Sequence, residues 1–70
     1  MNKQLSETYG ERIRTRREAI GMSREMLGDR SGRTAATVSN WESSKVTPPR
    51  TVRVLLASLL NDSTLIEVQA

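Results

Sequence analysis

Residues 23–42 read SREMLGDRSGRTAATVSNWE, and this stretch narrows the fold more than any other. Ser23 is a good N-cap, because its hydroxyl accepts from a backbone N–H that a helix start leaves unpaired. Gly32 falls where the chain must reverse, and glycine takes the positive φ of such a turn without steric cost. Thr34 can cap a second helix with a body from Ala35 to Glu42. Val38 and Trp41, three apart, turn one face inward. The rest of that helix, Ala35, Ala36, Thr37, Ser39 and Asn40, is small or polar and uncharged. Such a face is a poor solubilising surface. It suits a groove that offers hydrogen-bonding edges and methyl groups.

Seventy residues make one domain with a small core and marginal stability. There is no cysteine and no histidine. Disulfides and thiolate metal sites are therefore excluded, as are the commonest general base and the commonest zinc ligand. No Ser/His or Cys/His pair, phosphate-cradling glycine loop or carboxylate cluster points to catalysis, a metal or a cofactor. No apolar run approaches the ~18 residues of a membrane span. The expected location is the cytoplasm, with no membrane partner and no small-molecule substrate.

Charge is distributed unevenly. Net charge is +3, but ten of the eleven basic residues lie between Arg12 and Arg53, against four acids, Glu18, Glu25, Asp29 and Glu42. A basic middle with acidic ends suits a polyanionic partner. A solvated surface fits the same count.

Along the chain, residues 1–7 read as a loose arm and residues 8–62 as the domain. Thr8 and Glu11 have capping-box spacing, so a first helix starts near Thr8. Tyr9, Ile13 and Ile20 share a face if Arg16 or Arg17 fills the gap between them. Gly21 ends that helix, and Met22 turns inward. The second helix runs from about Arg24 to Arg30, with Met26 and Leu27 as apolar contacts. The third runs from about Thr34 to Ser43, followed by a polar loop. Thr47-Pro48-Pro49 reads as a helix start with threonine as cap. The fourth helix, Pro49 to Leu60, carries Val52, Leu55, Leu56 and Leu59 as its apolar stripe, and Asn61 and Asp62 break it. The tail, residues 63–70, reads as a short fifth helix opened by Thr64 and Glu67, or as a strand over residues 64–68.

These elements resemble the DNA-binding domain of the Cro/lambdoid-repressor (XRE-type) helix-turn-helix family over about residues 9–60. The resemblance rests on Gly10-Glu11-Arg12-Ile13-Arg14 and Arg17, on Gly21-Met22-Ser23, and on Leu27, Gly32, Val38, Ser39, Trp41 and Glu42. Pro49 and the leucine-rich fourth helix complete it. It implies an all-α bundle of four to five short helices. It also implies a sequence-specific regulator of phage or prophage type that binds palindromic double-stranded operator DNA as a homodimer and represses transcription in a bacterial host. Four positions depart from the family. Arg24 replaces a frequent glutamine, Gly28 a packed alanine, and Ser31 and Arg33 stand where apolar residues are common. Gly28 alone costs a helix about 1 kcal/mol relative to alanine.

The family pattern assigns roles residue by residue. Thr34, Ala35, Ala36, Thr37, Ser39 and Asn40 are the base-reading candidates. Asn40 leads, since a carboxamide pairs with adenine in two bonds; its alternative is a phosphate contact. Ser23, Arg24, Arg33, Lys45 and Arg50 would border the same groove and hold phosphates, each with a solvated-surface alternative. In relatives the pair matching Arg17 and Glu42 forms a partly buried ion pair, expected here as a structural tie. Trp41 reads as core rather than as a base-stacking residue. Arg12, Arg14 and Arg16 have Glu11 and Glu18 as local partners. Leu59, Leu60, Leu65, Ile66 and Val68 are the expected dimer contacts. An antitoxin, a restriction-modification controller, or a protein-interaction module without DNA would use the same scaffold.

Overall fold

The computed structural model describes residues 7–68. Four helices follow in order: α1 Tyr9–Ala19, α2 Arg24–Ser31, α3 Ala35–Glu42 and α4 Arg50–Leu59. A short 3-10 helix, Ser63–Ile66, closes the chain. All regular structure among the described residues is helical, so the all-α expectation holds. The strand alternative for the tail does not. Asp62 caps the 3-10 turn instead, its side chain accepting from Thr64 N. The arm expected over residues 1–7 lies outside the described residues except for Glu7, and so do residues 69 and 70 of the tail.

Local chemistry sets most helix ends. Thr8 accepts from Glu11 N while the Glu11 carboxylate accepts from Thr8 N, the reciprocal capping box. Ser23 accepts from Met26 N and Thr34 from Thr37 N. Gly21 and Gly32 take φ of 70° and 75°, the left-handed conformation that glycine adopts without a Cβ clash. One cap differs from expectation. Pro49, not Thr47, is the N-cap of α4, with no side-chain hydrogen bond. Proline's fixed φ serves the helix start without the threonine hydroxyl.

Ile13, Leu27, Val38, Leu56, Leu60 and Leu65 are fully buried, with Met22, Trp41, Val52 and Ala57 completing the core. Three expected core residues lie outside it. Leu55 is exposed because α4 buries the i, i+4, i+8 line Val52–Leu56–Leu60, and Leu55 stands one step round from it. Met26 is exposed for the same reason beside the buried Leu27 and Gly28. Ile20 is exposed because it is the C-cap of α1, and Met22 takes the inward place after the turn. Leu60 and Leu65, expected at a dimer contact, are instead sealed inside the monomer. The end of α4 needs a lid, and the 3-10 turn folds Leu65 back over it.

Gly28 has a positive reason. A Cβ there would lie 2.7 Å from the Thr34 carbonyl carbon and 3.0 Å from Ala35 N. The start of α3 therefore packs backbone-to-backbone against α2, and the family's alanine does not fit this spacing. Ser31 is buried but satisfied, its hydroxyl donating to Leu27 O at 2.8 Å.

Side chains clasp the tail to the body. Tyr9 Oη donates to Leu65 O at 2.6 Å. Arg53 donates to Ile66 O and Pro48 O, both at 2.9 Å, and Arg16 to Leu60 O. Burial pushes the Tyr9 hydroxyl up to about 12, with Arg53 and Arg12 pulling against it. The folded state thus keeps a proton that the unfolded chain releases near pH 10. The stability that Tyr9 contributes is full below pH 10 and is lost as pH rises from 10 towards 12. As Tyr9 is the only tyrosine, tyrosinate absorbance reads it directly. A native midpoint near 10 would show that the clasp is open in solution.

Candidate nucleic-acid interface

α3 is anchored on one side and bare on the other. Val38 and Trp41 are 0% and 3% exposed. Ala36, Ser39 and Asn40 are exposed on the opposite face, with Ala35 and Thr37 half-buried. The Thr34 hydroxyl is exposed, but it accepts from Thr37 N at 3.2 Å and lies 3.2 Å from Thr37 Oγ1. Any contact it makes outward is shared with its capping role. The Asn40 carbonyl accepts from Lys45 N at 3.0 Å and Val46 N at 3.3 Å. This closes the end of α3 and brings the Lys45 backbone beside it. The Asn40 carboxamide makes no hydrogen bond to the chain among the described residues, so its donors and acceptor stay available.

At the far end of α3, Glu42 has a side chain only 4% exposed. Arg17 grips it with two hydrogen bonds, Nε to Oε2 at 2.6 Å and Nη2 to Oε1 at 3.2 Å. The remaining Arg17 Nη1 donates to Met22 O at 2.8 Å. The Glu42 hydrogen bond raises the Arg17 pKa above its ordinary value. One buried bidentate pair thus ties α1, the α1–α2 turn and α3 together.

The basic residues divide in a way that counting them does not reveal. Arg12, Arg14 and Arg16 lie near Glu7, Glu18 and Asp62 respectively. Glu11 caps α1 and pairs with none of them. Arg17 is buried and Arg53 is spent on carbonyls. Arg50 pairs with Glu67 on the surface, which holds the Glu67 carboxyl below its ordinary value. Arg24 Nε donates to Glu42 Oε1 at 3.0 Å. Arg30, Arg33 and Lys45 are exposed and pair with no acid among the described residues. Ser23 uses its hydroxyl on the α2 cap. Ser23 and Arg24 thus stand at the start of α2, Arg33 in the α2–α3 turn and Lys45 just after α3, while Arg50 has a competing partner. Arg30 was not among the expected site residues. Its only sequence signal is an unpaired cation in the last turn of α2.

A family model for the helix-turn-helix domain matches residues 8–61. The chain belongs to the helix-turn-helix domain family. One solved structure, the P22 c2 repressor protein in complex with synthetic operator 9T, superposes on this helix-turn-helix domain with a TM-score of 0.81 and 28% sequence identity. The match covers 89% of this chain and 97% of that one. It supports the XRE, or lambdoid-repressor, branch of the family. No curated protein matches the chain in sequence. No helix among the described residues is long and apolar enough to cross a membrane.

Proposed function

We propose that this helix-turn-helix domain is a sequence-specific double-stranded DNA-binding regulator of phage or prophage Cro/repressor type. It binds a near-palindromic operator as a homodimer in the bacterial cytoplasm and represses by occupying a promoter. The observation that carries this reading is the bare face of α3. An uncharged helix face of small and polar groups stands beside unpaired cations, in a fold shared with a repressor solved on its operator. In this reading Thr34, Ala35, Ala36, Thr37, Ser39 and Asn40 face base edges. Ser23, Arg24, Arg33, Lys45 and Arg50 take phosphates and supply a salt-dependent affinity.

A second copy is needed because one such domain reads too few base pairs to find a genomic site. With Leu60 and Leu65 enclosed, the apolar surface left for that copy is Leu59, Ile66 and Val68, joined by the exposed Val54 and Leu55. The dimer element in this reading is the outer side of α4 together with Ile66 and Val68. The domain extends through the 3-10 turn.

Selection from a random-sequence duplex library tests the reading. An enriched palindrome with half-sites about one helical turn, roughly 34 Å, apart is the expected result. Binding with no enriched motif would remove sequence-specific regulation and leave the protein-interaction alternative. On the selected site, Asn40→Ala is expected to cost about 1–3 kcal/mol of discrimination at particular positions. Equal weakening on every sequence would make Asn40 a phosphate contact instead.

A further inference from the structure

The two arginines on Glu42 are used differently. The Arg17 side chain is buried and commits both edges of its guanidinium inward, to the Glu42 carboxylate and to Met22 O. Arg24, the first residue of α2, is 43% exposed. It spends only Nε on Glu42. Its two Nη groups, with four N–H donors between them, bond nothing among the described residues. Arg17 already matches the Glu42 charge through two hydrogen bonds, and Glu18, 3.8 Å from Arg17 Nη2, is held chiefly by Arg14, so neither acid occupies the Arg24 Nη groups.

We propose that Glu42 is a positioning residue for nucleic-acid binding: its carboxylate holds Arg24 by Nε so that both Nη groups are presented outward as a preformed phosphate fork. The inference rests on the DNA-binding reading above. One carboxylate then fixes both the seating of α3, through Arg17, and the aim of a phosphate contact on α2, through Arg24. A phosphate taking both Nη groups forms a bidentate, charge-assisted pair, and the side-chain ordering it needs is already complete before DNA arrives. Glu25, exposed on the next residue, is the nearest carboxylate in sequence and works against the phosphate. This makes the Glu42 anchor more consequential, since Arg24 left free has an alternative acid beside it.

Lysine is the decisive substitution. Its ammonium is a single charged point. It can serve Glu42 and a phosphate together only by drawing two anions towards each other. The test is fluorescence anisotropy on random-sequence duplex DNA over a salt series, with wild type, Arg24→Ala, Arg24→Lys and Glu42→Gln. A phosphate contact needs no particular sequence, so the operator is not required. Arg24→Ala and Arg24→Lys are both expected to bind roughly tenfold more weakly, each with a log–log salt slope lower by about one. Glu42→Gln removes one negative charge and, if Glu42 were only a repelling acid, would tighten binding. The positioning role predicts weaker binding.

Arg24→Lys binding like wild type, with an unchanged slope, would overturn the fork and leave Arg24 a diffuse charge. Tighter binding by Glu42→Gln would overturn the positioning role. If circular dichroism shows Glu42→Gln unfolded, the two Arg24 variants decide alone. A wild-type chain with no salt-dependent DNA binding would overturn the proposed function and this inference with it. Wild-type binding with an indifferent lysine variant would overturn the inference only.

Discussion

Glu42→Ala is expected to lower the unfolding free energy by about 3–5 kcal/mol. A chain of 70 residues holds only about 3.5–10 kcal/mol in total, so this variant is unfolded or nearly so at room temperature. The cause is the partner left behind. Arg17 is 6% exposed, and with Glu42 gone its guanidinium keeps only the Met22 carbonyl and a distant contact to Glu18 at 3.8 Å. Arg24 loses its inward bond as well, but at 43% exposure water replaces it cheaply. Arg17→Met with Glu42→Leu is expected to be far milder than Glu42→Ala. Exchanging a buried pair for apolar residues removes the desolvation cost along with the attraction. Urea unfolding followed by Trp41 fluorescence measures this cleanly, since Trp41 is the only tryptophan and is 3% exposed. A loss below about 1 kcal/mol would place the pair among ordinary surface ion pairs.

Gly10→Ala is expected to cost about 3 kcal/mol or more, although an alanine inside a helix ordinarily gains about 1 kcal/mol over glycine. The sign is reversed by what faces the residue. A Cβ on Gly10 would stand 2.7 Å from Glu42 O, 3.0 Å from Glu42 C, and closer still to Trp41 O. These are backbone atoms at the end of α3, so no rotamer change relieves them. The clash moves α3 away from α1, which strains the Arg17–Glu42 pair and opens the Trp41 site. Gly21→Ala is the control. Nothing lies within 4 Å of a Cβ there, and only the positive φ resists it, at about 1–2 kcal/mol. Thermal melts of the two variants should therefore separate clearly. Equal melting points would mean that α1 and α3 sit further apart than described.

Much of the fold was legible because it is written in neighbours along the chain. Thr8, Ser23 and Thr34 cap helices by bonding N–H groups three residues away. Gly32 turns the chain by its own φ. Val38 and Trp41 share a face through helical spacing alone. The candidate interface followed from the same spacing, as the small and polar residues of α3 are what remains once its inner face is assigned.

Other features could not be read this way. Leu55 and Leu60 look alike in sequence, yet one is exposed and the other buried, because α4 turns one face towards α2 and the 3-10 turn. The tail offered both helical and strand patterns. The choice fell to a 3-10 turn because Leu65 has a hole to fill and Tyr9 and Arg53 hold its carbonyls. Gly28 looks like a helix-weakening departure until the backbone of Thr34 is placed beside it. The basic residues are a single block in sequence, but the fold turns Arg17 and Arg53 inward, pairs Arg50 with the chain end and leaves Arg33 and Lys45 open beside α3. Sequence alone determined the four helices, the caps of the first three, the glycine turn and which face of α3 stays bare, since each depends on residues a few positions apart. Only the tertiary structure decided which leucines, glycines and arginines are structural, because burial, close backbone approach and charge pairing depend on residues far away in the chain.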